Sequence, residues 1–215
     1  FKKLTSKYKT DGVKVIFDVK FGGVFRMIQD YIQEKSIDIV TIGSHGASGA
    51  REFFIGSNAE KIVRNSPVPV LILKNFRKGP IKNIVFPNTL DTEKQEDLVM
   101  KVKALQTFFK AQVHIVWINT PLNFTSDKVT NERLTKFAKR FMFKDYTINV
   151  FNYGDEEQGI LQFTKQIQAD LIAMGTHGRK GIAHVVSGSL AEDVVNHTES
   201  LVWTYSLKNE PAVRS

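Results

Sequence analysis

A glycine spacing that suits phosphate binding occurs twice in this chain. In each copy two glycines separated by two residues are followed, after nine further residues, by a Gly-Ser pair, and the copies begin at Gly43 and Gly175. Glycine lets backbone N–H groups approach an anion closely, and a helix that begins at the Gly-Ser pair aims further N–H groups at the same charge. The spacing therefore predicts two phosphate-binding loops.

The residues of these loops and of the helix starts are the candidate ligand contacts. In the second copy they are Gly175, Thr176, Gly178, Arg179, Gly188, Ser189 and Leu190. In the first copy they are Gly43, Ser44, Gly46, Gly56, Ser57 and Asn58. Arg179 and Lys180 add positive charge to the second loop, where the first has Ala47 and Ser48. We therefore expect the second loop to hold a polyphosphate better.

The serine after the last glycine of each copy has two interpretations. Ser57 with Glu60, and Ser189 with Glu192, fit the capping box Ser-x-x-Glu, in which the serine hydroxyl caps the helix. The pattern predicts such a cap at each serine and leaves open whether the hydroxyl also contacts phosphate.

No residue set in the chain predicts an active site. His45 and His177 lie within the glycine motifs, but neither has a matched carboxylate or a second histidine nearby in the sequence. We expect them to pack or hydrogen-bond within their loops. No catalytic residue and no metal site is predicted.

Both motifs belong to a longer internal repeat. A shift of 132 positions carries Gly43 onto Gly175 and Asp38 onto Asp170, and every glycine of the first motif falls on a glycine of the second. Agreement that extends beyond the motif indicates a duplicated structural unit rather than a chance recurrence.

The second unit, from residue 81 onward, alternates between strand-like and helix-like patterns. Short apolar runs predict strands, and apolar residues at helical spacing predict the helices between them. The expected strands are 81–86, 113–118, 147–151, 171–174 and 201–205, and the expected helices are 92–109, 126–143, about 160–167 and one from 189. This order predicts an α/β fold with a doubly wound, parallel five-stranded sheet, Rossmann-like or flavodoxin-like.

The first unit is predicted to be an incomplete copy. It offers strands at 13–19, 39–42 and 68–73 and a helix at 24–34, so a first strand, a first helix and a second strand are missing relative to the second unit. We expect 1–75 to be the carboxyl-terminal part of a first domain, 76–80 a short linker, and 81–215 a complete second domain. The strand at 13–19 would then lack a natural neighbour.

Composition narrows the class of protein. Hydrophobic residues make up 42% of the chain and charged residues 24%, as in globular proteins, and there is no cysteine for a disulfide or a thiolate metal site. No apolar run approaches the roughly 20 residues that span a bilayer, and no signal peptide is visible. The net charge of +8 is spread along the chain. We expect a cytoplasmic protein without a membrane or nucleic-acid partner.

The glycine motifs and their flanks resemble the universal stress protein family, whose nucleotide-binding members carry Gly-x2-Gly-x9-Gly-Ser/Thr after the fourth strand. The stretches DIVTIGSHG and GSNAEKIVRNSPVPVLIL in the first unit, and DLIAMGTHGRKG and GSLAEDVV in the second, are typical of it. The resemblance covers essentially the whole chain, as a tandem protein. It implies a stress-response protein that binds ATP or AMP, with or without Mg²⁺, as a sensor or switch. An enzymatic activity would be at most slow ATP hydrolysis. It also implies that the last strands, 68–73 and 201–205, pair within one chain or in a homodimer.

One departure from the family pattern bears on the site. ATP-binding members usually have Pro-x-Asp after the first strand, and the aspartate contacts the adenosine; here Pro87-Asn88-Thr89 places Thr89 at that position. The resemblance adds Thr89 and Ile118 to the candidate contacts, and the missing carboxylate could weaken or alter nucleotide binding. Two alternatives stay open. One is a nucleotide-independent interaction scaffold with structural loops; the other is an adenylate-forming ligase, which the lack of a Ser-Gly-Gly loop after the first strand disfavours.

Overall fold

The structure, a computed structural model, describes residues 12–43, 55–74, 79–90, 95–177 and 190–207. Within these ranges seven strands form one sheet. The strands are β1 (Val40–Gly43), β2 (Val70–Leu73), β3 (Asn83–Pro87), β4 (Gln112–Asn119), β5 (Tyr146–Asn152), β6 (Leu171–His177) and β7 (Leu201–Leu207). The helices are α1 (Val24–Lys35), α2 (Ser57–Asn65), α3 (Glu96–Phe109), α4 (Asp127–Arg140), α5 (Glu156–Gln166) and α6 (Leu190–His197), with a 3₁₀ turn at Pro121–Asn123.

The sheet has the strand order β1-β2-β7-β6-β3-β4-β5. All neighbouring strands run parallel except β2 and β7, which are antiparallel. The five strands of the second unit therefore stand in the doubly wound order β5-β4-β3-β6-β7, with β3 at the centre. This confirms the predicted α/β fold and its parallel sheet.

The two units join through their last strands. Val70 of β2 pairs with Thr204 of β7, and Ile72 pairs with Val202. The pairing implied for 68–73 and 201–205 thus occurs within one chain. Because the joint is made of backbone hydrogen bonds between two strands that are already parts of parallel sheets, both units contribute to one continuous sheet.

Helices cover both faces of this sheet. On one face α3 and α4 bury Val99, Val102 and Leu134 in a cluster with Ile84. On the other face α5 and α6 form a second cluster, and a third cluster spans the joint, where α2 packs with Val195 of α6. No helix within the described ranges is long and apolar enough to cross a bilayer.

A buried carboxylate ties the centre of the sheet together. Asp170 precedes β6 and is 4% exposed. Its Oδ2 accepts hydrogen bonds from the backbone N–H of Lys82 at 2.6 Å and of Asn83 at 2.8 Å, at the start of β3. Because a charged acceptor strengthens each hydrogen bond, this side chain sets the position of β6 beside β3.

The predicted strand at 13–19 is wrong. These residues form no strand, and Val13, Ile16 and Val19 are each about two-thirds exposed, at 66%, 67% and 65%. A strand is stabilised by a hydrogen-bonded neighbour, and no strand of the described residues pairs with this segment. The apolar pattern of this segment is strand-like, but among the described residues it has no neighbouring strand with which to form backbone hydrogen bonds.

The capping box predicted at Ser57 is also wrong. Gly56, in an extended conformation, is the N-cap of α2, and Ser57 is already the first helical residue, with no side-chain hydrogen bond capping the helix. A serine caps only from the residue before the first helical one, so Ser57 stands one position too late. Glu60 instead binds Arg64 in the next turn, at 3.3 Å. Ser189, the second predicted cap, lies outside the described residues.

Candidate functional site

A cavity lies where the strand order of the sheet reverses. From β3 the chain proceeds outward through β4 to β5, and then returns to β6 and β7 on the other side of β3. Connections therefore leave the carboxyl ends of β3 and β6 in opposite directions, which opens a crevice between them. The cavity of about 330 Å³ is lined by the ends of β3, β4 and β6 and by the facing turns of α3, α5 and α6. Its volume is that of a small-molecule site.

The wall from β6 carries the first residues of the second glycine motif. A Cβ at Gly175 would lie 3.1 Å from Cδ2 of Leu98 and 3.1 Å from Cδ1 of Leu207, so glycine permits this close packing. Thr176 beside it is 1% exposed, and its hydroxyl has no hydrogen-bond partner among the described residues. Burying a hydroxyl without a hydrogen-bond partner costs free energy, so a ligand atom that formed a hydrogen bond with the Thr176 hydroxyl would bind more favourably.

The wall after β3 is a connected set of polar side chains. The backbone N–H of Asn88 donates to the carbonyl of Val116 at 3.0 Å, and Asn88 Oδ1 accepts from the backbone N–H of Leu90 at 2.6 Å. Asn88 Nδ2 donates to Gln95 Oε1 at 2.6 Å, and Gln95 Nε2 donates to Thr89 Oγ1 at 2.6 Å. Leu90 has a left-handed backbone with φ of 61°. The turn holds Thr89, which is itself exposed, at the cavity edge.

The wall from β4 depends on a glycine of α5. Ile118 lines the cavity and is 8% exposed. A Cβ at Gly159 would lie only 2.5 Å from Cγ2 of Ile118. The side chain of Asp155 caps α5 by accepting from the backbone N–H of Gln158 at 2.8 Å, which sets where the helix begins. Glycine at this position therefore lets the capped helix lie directly on the end of β4.

A polar rim follows β4. Asn119 Oδ1 accepts from the backbone N–H of Thr125 at 2.9 Å, and its Nδ2 donates to Asn152 Oδ1 at 2.7 Å. These bonds hold the 3₁₀ turn against the end of β5. At the cavity, Asn123 Nδ2 donates to Glu156 Oε1 at 3.4 Å. The rim thus joins the loop after β4 to the first turn of α5.

The described walls carry little charge. Glu156 is the one ionisable side chain among them, and no lysine or arginine of the described residues lines the cavity. Apolar side chains such as Val116, Ile160 and Met174 supply much of the remaining surface. Such walls favour an uncharged, partly apolar group with a few polar atoms over a phosphate.

Five of the contacts predicted for the second copy come together at this cavity. They are Thr89, Ile118, Gly175, Thr176 and Leu190. Gly178, Arg179, Gly188 and Ser189 lie outside the described residues. Thr176, near the end of β6, and Leu190, at the start of α6, both line the cavity, one on either side of the part of the predicted loop that lies outside the described residues.

The contacts predicted for the first copy do not line this cavity. Gly43 is exposed at the end of β1, and Gly56, Ser57 and Asn58 are exposed where α2 begins. Ser44 and Gly46 lie outside the described residues. The first-copy site stays a prediction from its sequence motif.

Sequence reasoning missed four polar residues at the cavity. They are Asn88, Gln95, Asn123 and Glu156. Asn88 had a usable signal, since it directly follows the end of a central strand, where open sheets bind ligands. Gln95 had none, because it reaches the site only through the way α3 folds back toward β3. Within the described ranges no three His, Asp or Glu side chains come close enough to hold a metal ion.

Comparison with known proteins finds one family. The sequence profile of the universal stress protein family matches residues 2–74 and 144–205, more than half of the chain. A universal stress protein of Synechocystis sp. is 24% identical over 173 residues, covering 78% of this chain and 58% of that protein. One of Methanocaldococcus jannaschii is 29% identical over 77 residues, covering 36% of this chain and 45% of that protein. The chain spans about half the length of the curated relatives it matches.

Solved structures share the fold. A universal stress protein from Archaeoglobus fulgidus DSM 4304 superimposes with a TM-score of 0.73 at 20% identity, covering 96% of this chain and 74% of that one. A protein of unknown function from Pseudomonas aeruginosa PAO1 superimposes with a TM-score of 0.67 at 17% identity, covering 87% of this chain and 69% of that one. At these identities the likeness concerns the fold alone.

Proposed function

This chain belongs to the universal stress protein family, and from that premise we propose that it is a stress-response protein that binds ATP or AMP in the cavity at β3, β4 and β6. The observation that carries the proposal is the position of this cavity. It occupies the reversal point of the sheet, and it is lined by Gly175, the first residue of the second glycine motif, and by Leu190, which follows the motif in the chain. Open α/β sheets bind nucleotides at this point.

In this proposal the nucleotide is divided between two environments. The nucleoside lies against the described walls, whose apolar and amide surface suits an uncharged base and sugar. The phosphates are held by Gly178, Gly188 and Ser189, with Arg179 as a cation. The absence of lysine and arginine from the described walls supports this division, because the phosphates then have to be bound by the loop.

Binding would act on the joint between the two units through α6. Leu190 and Ala191, in its first turn, line the cavity. In the same turn Glu192 binds Arg64 of the other unit, and one turn further on Val195 packs in the cluster that spans the joint. A ligand that orders the start of α6 therefore stabilises the joint, which is how occupancy would be signalled.

A thermal-shift titration with ATP, AMP and no ligand tests the proposal. A ligand at 100 times its Kd that binds only the folded chain adds about 2.7 kcal/mol of stability, roughly 5–10 °C in Tm for a chain of this size. We expect this shift to be lost in Gly178→Val. Gly46→Val, the matched position of the first copy, should retain it.

The nucleotide-independent scaffold gives the opposite result. The segment from Val13 to Phe21 is exposed and carries several large apolar side chains, with Phe21 94% exposed, and this is the observation that favours an interaction surface. If neither ATP nor AMP moves the Tm of the wild-type chain, the nucleotide proposal is wrong and the scaffold takes its place.

A further inference from the structure

The turn after β3 contains three hydrogen bonds in series, through Leu90, Asn88, Gln95 and Thr89. Which group donates and which accepts in each bond follows from the first of them. The backbone N–H of Leu90 donates to Asn88 Oδ1 at 2.6 Å. A backbone N–H can only donate, so the amide oxygen of Asn88 must face Leu90, and its NH₂ group must face away. The oxygen and nitrogen of the Asn88 amide therefore cannot exchange places by a flip of the side chain.

That orientation passes through Gln95 to Thr89. Asn88 Nδ2, a donor, lies 2.6 Å from Gln95, so the Gln95 oxygen has to face it. Gln95 Nε2 is then left to face Thr89 Oγ1, at 2.6 Å. Asn88 and Gln95 are 7% and 6% exposed, so solvent competes little for these groups. The Thr89 hydroxyl accepts from Gln95, and its own proton remains available at the cavity edge.

We propose that Thr89 is a specificity-determining residue that presents a hydrogen-bond donor, oriented by Asn88 and Gln95, to an unprotonated ring nitrogen of the bound base. The proposal rests on the proposed adenine-nucleotide function. A ring nitrogen matches this position because it accepts and cannot donate, and because the flat base suits the apolar walls beside Thr89. An aspartate at the same position would present acceptors only and would favour a ligand N–H or hydroxyl.

Binding of adenosine, measured by isothermal titration, tests the donor. Adenosine is used because it is uncharged, so a substitution that changes charge does not act through phosphate repulsion. Thr89→Val removes the donor and keeps the shape, and we expect about tenfold weaker binding, while Thr89→Ser retains wild-type affinity. The 1-deaza, 3-deaza and 7-deaza analogues of adenosine each lack one ring nitrogen and so identify the partner atom. The analogue without the nitrogen that accepts from Thr89 should bind wild type and Thr89→Val with equal affinity.

Gln95→Glu tests the direction of the series. A carboxylate still accepts from Asn88, but it also accepts the Thr89 proton, which is then withdrawn from the ligand. We expect the same roughly tenfold loss as in Thr89→Val, and no further loss in the double variant. Gln33→Glu, an exposed position on α1, adds the same charge elsewhere and should bind as wild type does.

Two results overturn the assignment directly. They are wild-type affinity in Thr89→Val, and wild-type affinity in Gln95→Glu. If no adenine compound binds the wild-type chain, the proposed function fails and the assignment of a base to Thr89 fails with it. The hydrogen-bond series has its own readout without ligand, because the Gln95 side-chain amide resonances should shift in Thr89→Val. Unchanged resonances would show that Gln95 does not donate to Thr89.

Discussion

The guanidinium of Arg64, on α2, binds the carboxylate of Glu192, on α6, across the joint between the two units. Arg64 Nε lies 2.7 Å from Oε1 and Nη2 lies 2.5 Å from Oε2, so both oxygens are engaged. The pair has no counterpart in the repeat, since the shift of 132 positions replaces Arg64 by Asn196. Asn196 Oδ1 instead accepts from the backbone N–H of Ile55 at 2.9 Å. The joint is therefore asymmetric although the units are duplicated.

Arg64→Met should destabilise the protein by about 2 kcal/mol. The Glu192 side chain is only 7% exposed, and removing its cation leaves a charge that water solvates poorly. The loss is moderated because Arg64 is itself 30% exposed. Urea unfolding measures the change. Arg26→Met is the control, because Arg26 lies 4.0 Å from Asp30 and its side chain is 84% exposed. An exposed ion pair of this kind contributes little, so we expect a loss of unfolding free energy of less than about 0.5 kcal/mol. Equal losses in the two variants would contradict a role for the joint.

Thr176→Val should stabilise the free protein by about 1 kcal/mol, because it replaces a buried hydroxyl without a described partner by a methyl group. Thr204→Val is a matched control, since its hydroxyl is equally buried and also lacks a partner among the described residues, but it does not line the cavity. Both variants should melt higher without ligand. Only Thr176→Val should lose part of the shift caused by ATP; equal ligand shifts would remove Thr176 from the site.

Gly159→Ala should destabilise the protein by roughly 1–2 kcal/mol, although alanine is the better helix former. The added Cβ would meet Cγ2 of Ile118 at 2.5 Å, and this β-branched, buried side chain would have to move into the cavity. Adenosine affinity should fall with it. Gly154→Ala, just before the same helix, meets nothing within 4 Å and should change neither stability nor affinity. A Gly159→Ala protein as stable as the control would show that α5 can shift away from β4.

Stability should fall as the pH drops through about 6.5 because of His114. Burial lowers the pKa of His114 below its ordinary value of 6.5, against the opposing attraction of Asp145. The unfolded chain then binds a proton more readily than the folded one, so stability is present above pH 6.5 and is lost toward the lower folded pKa. Unfolding free energies from about pH 8 to 5.5 should show this slope in wild type and a flatter one in His114→Gln.

The carboxyl group of Asp193 also has a shifted pKa, and it acts in the opposite direction and lower on the pH scale. Burial raises the pKa of Asp193 above 3.8, with the neighbouring carboxylates of Glu157 and Glu192 adding to the effect. Its folded form binds the proton more readily, so it favours the folded state as the pH falls toward that window. Asp193 is present in both wild type and His114→Gln, so its contribution cancels when the unfolding free energies of the two proteins are subtracted at each pH. A wild-type protein that gained stability relative to His114→Gln on acidification would contradict the His114 prediction.

The sequence by itself determined the duplication, the alternation of strands and helices, and the place of the glycine motif after a strand. These follow from spacing between residues close in the chain: the apolar periodicities of β3 through β7 and the Gly-x2-Gly-x9-Gly-Ser pattern each lie within a short stretch. Local periodicity states which residues face a core. It does not by itself make a strand: the segment at 13–19 has the pattern, but it is not a strand and no strand of the described residues pairs with it.

Only the tertiary structure decided the contacts that give the site and the joint their chemistry. Arg64 and Glu192 are 128 positions apart, and neither belongs to a pattern that predicts their pairing. Likewise Gln95 precedes α3 with no local signal, yet it donates a hydrogen bond to the Thr89 hydroxyl at the edge of the cavity. The physical reason is that a hydrogen bond or ion pair requires two groups to approach within about 3 Å. Between residues on different elements, that approach is set by how whole elements pack together.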